Sequence, residues 1–321
     1  MNSKLEAAPR LLVADPPVDG EALLRFDFLD PAGAGAWPLG LEHLGGDLNG
    51  ECWLARGEAI RGESGAIRWG RAGDLLATCL VIDDPPDSDP EARVAEAYRR
   101  LIAGIREQGC PHLIRAWNYM PAINRGEGDQ ERYRRFCSGR AQALEEMAVD
   151  EAGLSACTAI GTDEERLRIY LLSARSPALH IENPRQVSAY RYPRRYGPRS
   201  PSFARATALR GQGDEVVLSV SGTASVVGHE TRHEGDVMAQ ADEIIANIDT
   251  LLDHSAAETG RSGLRSFNPH SLIRVYVRES TDWPRVEGHF RQAWPGARLA
   301  GFRGDICRSD LLVEIEAVTR A

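Results

Sequence analysis

Residues 74–120 read DLLATCLVIDDPPDSDPEARVAEAYRRLIAGIREQGCPHLIRAWNYM. The apolar run at 74–82 has the length of a strand, and the Pro- and Asp-rich segment after it is a turn. Pro90 suits the first turn of a helix and Gly109 its end. Between them Val94, Ala97, Leu101 and Ile105 recur at helical spacing. Residues 112–120 then read as a second strand. A helix over 129–149, interrupted at Gly139, and strands at 156–160 and 166–173 complete the unit.

The same order returns downstream. A strand at 215–221 leads to a helix over 236–254 with Val237, Ala241, Ile244, Ile248, Leu251 and Leu252 as its apolar set. A strand at 271–278, a helix at 283–293 and strands at 298–302 and 310–318 follow. The repeat lies in pattern rather than residue identity. It predicts an α+β protein of two units, each a mixed sheet covered on one face by two helices. The expected divisions are an irregular arm over 1–50, an N-terminal domain over 51–175 and a C-terminal domain over 176–321. The arm is rich in Gly, Pro and Asp, with one or two short strands such as 23–28; hairpin strands are expected near 58–60 and 66–69. Residues 182–205 hold four prolines, three tyrosines and one phenylalanine, and read as a long ordered loop.

Composition excludes several function classes. The 321 residues carry 38 Lys+Arg against 47 Asp+Glu, a net charge of −9, with no basic run, which argues against nucleic-acid or anionic-membrane partners. The longest apolar stretch, 75–82, is far short of the roughly 20 residues of a membrane helix. The N-terminus has no hydrophobic signal core, which predicts a cytoplasmic protein. Lys4 is the only lysine, placed in a loose tail, so Schiff-base, P-loop and kinase-type lysine chemistry is excluded. Anionic substrates must then be held by arginine. Six cysteines stand far apart without a CxxC, as buried thiols rather than a zinc ribbon or disulfide framework.

The most conspicuous motif is His229-Glu230-Thr231-Arg232-His233, a formal HExxH. In a zinc hydrolase both imidazoles stand on one helix, but here the motif follows a strand and a glycine, and the helix begins only after Gly235. The alternative is a polar strand-to-helix connection. Neither a G-x-S-x-G elbow nor a dinucleotide fingerprint occurs. Arginine and tyrosine cluster instead. Tyr133 and Arg140 are about two helical turns apart, and the long loop adds Tyr190, Tyr192, Tyr196, Arg199 and Arg205. Arg134 and Arg135 read as a solvated face paired with Glu131 and Glu145. A pocket of arginines and tyrosine hydroxyls suits a small cyclic dicarboxylate. Along 310–318, alternation puts Glu314 and Glu316 on one face, where most such glutamates simply meet water.

The segments 112–140 (HLIRAWNYMPAINRGEGDQERYRRFCSGR), 182–206, 221–230 (SGTASVVGHE) and 305–316 (DICRSDLLVEIE) together resemble the chorismatase family. The resemblance extends from about residue 60 to the C-terminus. It implies two RidA/YjgF-like units in one chain and cleavage of the enolpyruvyl ether of chorismate without cofactor or metal. It places substrate contacts on Tyr133, Arg140, Tyr192 and Arg205, with Tyr196 beside them, and the catalytic acid on Glu314. Cys307 falls where hydroxybenzoate-forming branches carry a cysteine, and Ala224 where branches differ. The implied products are pyruvate and 3-hydroxybenzoate, with some 4-hydroxybenzoate. Alternatives are a hydrolytic chorismatase giving a dihydroxycyclohexadiene carboxylate, and a RidA-like binder or deaminase of imino or keto acids. A duplicated chain enclosing its own pocket is expected to be a monomer, with a RidA-like trimer as the alternative.

Overall fold

The computed structural model describes residues 11–14, 22–29, 36–55, 58–211 and 213–321; Lys4 lies outside them. Chain order begins with β1 (Leu11–Ala14), β2 (Ala22–Asp27), β3 (Glu42–Gly46) and β4 (Gly50–Ala55). The first unit is β5 (Ile60–Ser64), β6 (Ile67–Ala72), β7 (Leu75–Asp83), α1 (Glu91–Glu107), β8 (His112–Pro121), α2 (Arg132–Glu146), β9 (Ala156–Thr162) and β10 (Arg166–Ala174). The second is β11 (Leu179–Ile181), β12 (Ala206–Arg210), β13 (Val216–Ala224), the hairpin β14 (Val226–Val227) and β15 (Glu230–Thr231), α3 (Val237–Thr259), β16 (Leu272–Val277), α4 (Trp283–Ala293), β17 (Arg298–Arg303) and β18 (Val313–Arg320).

The repeat anticipated from pattern is a repeat of topology. The first sheet runs β5-β6-β7-β10-β8-β9 and the second β11-β12-β13-β18-β16-β17, with β3 added at the end. In each, one parallel pair (β8–β9, β16–β17) is joined through a helix, and the other neighbours are antiparallel. The fold is α+β with mixed sheets. Leu76, Leu80, Leu167, Ile169 and Leu171 face Val94, Leu101, Ile105 and Leu144 of α1 and α2. Val220, Ile273, Val275 and Ile315 face Ile244, Ile248, Val286 and Phe290 of α3 and α4. A third core, with Phe26, Trp53, Trp117, Tyr170, Tyr276 and Phe302, joins the outer faces of the sheets to the N-terminal strands. Each sheet is therefore buried on both sides, which is why its central strands are almost continuously apolar.

Several expectations are corrected. The helix over 129–149 is a 3₁₀ turn at Gly128–Gln130 followed by α2, and Gly139 does not interrupt it. A Cβ there would strike the backbone of Glu91, so the glycine lets α2 approach the start of α1. α3 continues to Thr259, beyond the expected end at His254. Asp236 caps it by accepting from the amides of Met238 and Ala239 (3.1 Å each), and left-handed Gly260 (φ 71°) ends it. Within the first fifty residues β1, β2 and β3 form; β3 pairs with β17 of the C-terminal sheet. Arg135 pairs with Asp89 and Glu91 rather than Glu145, which pairs with Arg199, whereas Arg134 does pair with Glu131.

Candidate active site

β9 and β13 bring the two units into contact. The amide of Cys157 donates to Ser221 Oγ (2.9 Å) and that of Ala156 to Thr207 Oγ1 (2.7 Å). Beside this seam the register of β13 against β18 shifts between Val220 and Thr223. Gly222 lies in that irregularity, and a Cβ there would strike the Glu314 carboxyl. The glycine thus leaves the space that the acid occupies.

A cavity of about 300 Å3 opens here. Glu314, Cys307, Tyr133, Tyr192, Tyr196, Arg205 and Ala224 all line it, although they come from α2, the long loop, β13, β18 and the segment before β18. An adjoining recess of about 40 Å3 holds Arg140, Phe136, Cys137 and Cys157. Glu314, Cys307, Tyr133, Phe203 and Gly222 border both spaces. The eight residues to which the resemblance points therefore fall around two adjoining spaces, whereas Tyr190 and Arg199 of the same cluster line neither, Arg199 pairing with Glu145 instead.

Glu314 and Glu316 do not face water; they are 4% and 3% exposed, turned toward the other sheet. Glu316 is paired with Arg115 and Arg274 (3.2 Å) and accepts from Trp117 Nε1 (3.1 Å) and the Tyr276 hydroxyl (3.0 Å). Those partners hold its carboxyl below the usual range despite burial. Glu314 has no ion pair within 4 Å among the described residues. Burial, then the neighbouring Glu316 carboxylate, push its pKa up to about 8, while Arg115 and Arg205 pull against them. Near neutral pH Glu314 is mostly protonated and Glu316 is an anion.

The arginines are held differently. Arg205 donates from Nη2 to the Tyr192 hydroxyl (2.7 Å) and the Val187 carbonyl (3.0 Å). Arg140 donates from Nη1 to the Ser202 carbonyl and lies over the Tyr98 ring (5.0 Å), while its Nε and Nη2 are buried without a hydrogen-bond partner among the described residues. A buried guanidinium with two idle nitrogens is costly unless a ligand supplies the acceptors. Burial raises the Cys307 thiol far above its ordinary pKa, so it is neutral.

Sequence reasoning passed over Arg308, which lines the larger cavity, and the Glu316 network behind Glu314. Arg308 stood in the quoted segment beside Cys307, but a single arginine carries no periodic signal. The HExxH residues line neither space; His229 packs behind Tyr192 and Tyr196. His229 Nδ1 lies 2.9 Å from Arg195 Nη2 and 3.4 Å from the Tyr196 hydroxyl, whereas His233 Nε2 lies 3.3 Å from Glu243. The two imidazoles thus meet separate partners in a strand-to-helix connection.

Fold and site together define an internally duplicated α+β protein with a buried, protonatable carboxyl and unpaired guanidinium groups where its two units meet. The family described as chorismatase FkbO/Hyg5-like, N-terminal, matches residues 51–173. A 3-hydroxybenzoate synthase from Streptomyces hygroscopicus is 40% identical over 84% of this chain and 80% of its own. A chorismatase from Streptomyces rapamycinicus is 38% identical over 84% and 81%. The crystal structure of a chorismatase superposes with a TM-score of 0.81 at 31% identity, covering 98% of each chain. The chain belongs to the chorismatase family.

Proposed function

We propose that this protein cleaves the enolpyruvyl ether of chorismate to pyruvate and 3-hydroxybenzoate, with Glu314 as the acid that starts the reaction. The observation that carries the reading is a buried carboxyl, raised to about 8, bordering both the arginine-bearing recess and the larger cavity. Chorismate is a dianion with a polar ring, and guanidinium and phenol groups suit it.

Glu314 donates its proton to the terminal methylene of the enol ether. The vinyl electron pair forms the new C–H bond and leaves an oxocarbenium carbon, which the Glu314 carboxylate then stabilises. The neighbouring ring hydroxyl attacks the ring carbon that bears the ether. The C–O bond breaks with its electron pair leaving on pyruvate, and the hydroxyl proton returns to Glu314. The resulting epoxide opens at the carbon that first bore the hydroxyl, the oxygen left on the former ether carbon takes up a proton and that carbon loses one, giving the aromatic acid with no water consumed and no redox partner. Cys307, adjoining Glu314 as a neutral thiol, favours this internal attack over attack by water. The reading takes the enzyme as a monomer, with both units and the cavity between them in one chain. No helix among the described residues is long and apolar enough to cross a membrane.

Chromatography of purified protein incubated with chorismate tests the reading: equimolar pyruvate and 3-hydroxybenzoate are expected. Glu314→Gln is expected to lower pyruvate release by about 10³-fold or more while binding survives, within the range for loss of a general acid. A diene-diol product would assign the hydrolytic reaction instead. Near-normal turnover by the variant would remove Glu314 from its role.

A further inference from the structure

We infer that Arg308 binds one substrate carboxylate at the outer end of the cavity, opposite Arg140, so that the two guanidinium groups hold a dianion across Glu314. This rests on the proposed function and adds a binding residue to it.

Arg140 borders only the inner recess, Arg308 only the larger cavity, and Glu314 borders both. A molecule with carboxylates at opposite ends, gripped by Arg140 and Arg308, therefore puts its middle against the acid. In an enolpyruvyl ether of a ring acid, the reacting group lies between the two carboxylates.

Arg308 is also pre-set. Its guanidinium carbon sits 4.1 Å from the Tyr196 ring centroid and 5.4 Å from that of Tyr192. Its Nη1 donates to the carbonyl of His229 (3.0 Å) and to Thr231 Oγ1 (3.2 Å), so the loop and strand of the HExxH segment fix its direction. Stacking uses the face of a guanidinium and leaves its in-plane N–H groups available. Two Nη1 contacts leave Nε and Nη2, the side-on fork that suits a carboxylate, without a protein acceptor among the described residues.

Two of the other wall arginines are ion-paired, and Arg205, like Arg308, has one terminal nitrogen engaged and keeps a buried Nε without a partner among the described residues. Arg134 pairs with Glu131 (2.9 Å) and Arg195 with Glu230 (3.1 Å), while Arg205 spends Nη2 on Tyr192 and Val187. Arg308 has no ion pair within 4 Å among the described residues. Arg134 and Arg195 are balanced by Glu131 and Glu230, so Arg205 and Arg308 are the lining cations without an ion pair among the described residues, and they face Asp310 and an anionic substrate.

The test measures chorismate KM and kcat for Arg308→Gln and Arg308→Lys. It also measures chorismate binding by calorimetry in the inert Glu314→Gln background, with and without Arg308→Gln. Loss of a charged hydrogen-bonding fork is expected to raise KM and weaken binding by about 10- to 100-fold, with kcat changed less than about 3-fold. Arg308→Lys, which keeps the charge but loses the fork, is expected to recover part of the loss; it also serves if the glutamine variant does not fold. KM and affinity within about 2-fold of the parent in a folded variant would overturn the assignment, as would a fall confined to kcat. If the unmodified enzyme releases no pyruvate, the proposed function fails and this inference falls with it. If it does, and Arg308→Gln binds normally, only the inference fails.

Discussion

Glu314 and Glu316 stand two residues apart on one face of β18, yet their surroundings drive them in opposite directions. Glu316 is fixed as an anion by Arg115 and Arg274; Glu314, without an ion partner, is raised first by burial and then by that same anion. Under the proposed function, the separated pKa values leave Glu314 to supply the proton while Glu316 stays ionised. The Cys307 thiol borders Glu314 and stays neutral, so it occupies space beside the acid without competing for charge. Replacing it with alanine is expected to shift product from 3-hydroxybenzoate toward the dihydroxy-diene acid while pyruvate release continues. Chromatographic product ratios check this, and an unchanged ratio would remove Cys307 as the selector. Alternation along 310–318 placed both glutamates on one face but left that face's burial open, because burial is set by the opposing sheet.

At the scale of elements, local signals and packing compete. Pro90 and Gly109 bound α1 as read from sequence, because a proline-led start and a left-handed glycine (φ 71°) are local backbone effects. Gly139 misleads for the opposite reason. In an exposed helix, glycine to alanine would gain roughly 1 kcal/mol. In α2 the added methyl meets the Glu91 backbone, which cannot swing aside as a flexible side chain would. Packing wins, so Gly139→Ala is expected to destabilise the protein by about 1–3 kcal/mol. Urea unfolding with an unchanged m-value checks it, and a gain in stability would contradict the close approach of α1 and α2. β11 and β12 escaped the sequence reading because β11 has only three residues and β12 ends a proline-rich loop.

The whole molecule supplies what neither unit holds alone. Duplication was legible as a repeated order of strands and helices, and the structure makes it a repeated strand order. The site was legible only through the joint occurrence of segments 112–140, 182–206, 221–230 and 305–316, since no single one encodes a cavity between units. Arg115 from the first sheet and Arg274 from the second both grip Glu316, so the anion that raises Glu314 depends on the two sheets being assembled. The acidity of the site is in this sense a property of the full chain.

The pH dependence of kcat/KM for pyruvate release tests that protonated acid most directly. A carboxyl raised to about 8 is active in its neutral form. The rate constant is therefore expected to be level at neutral pH and to fall toward tenfold per unit above about 8. The kcat break is expected to lie higher, because the bound dianion opposes ionisation further. A rate that climbs through pH 8, or stays flat well above it, would contradict the account.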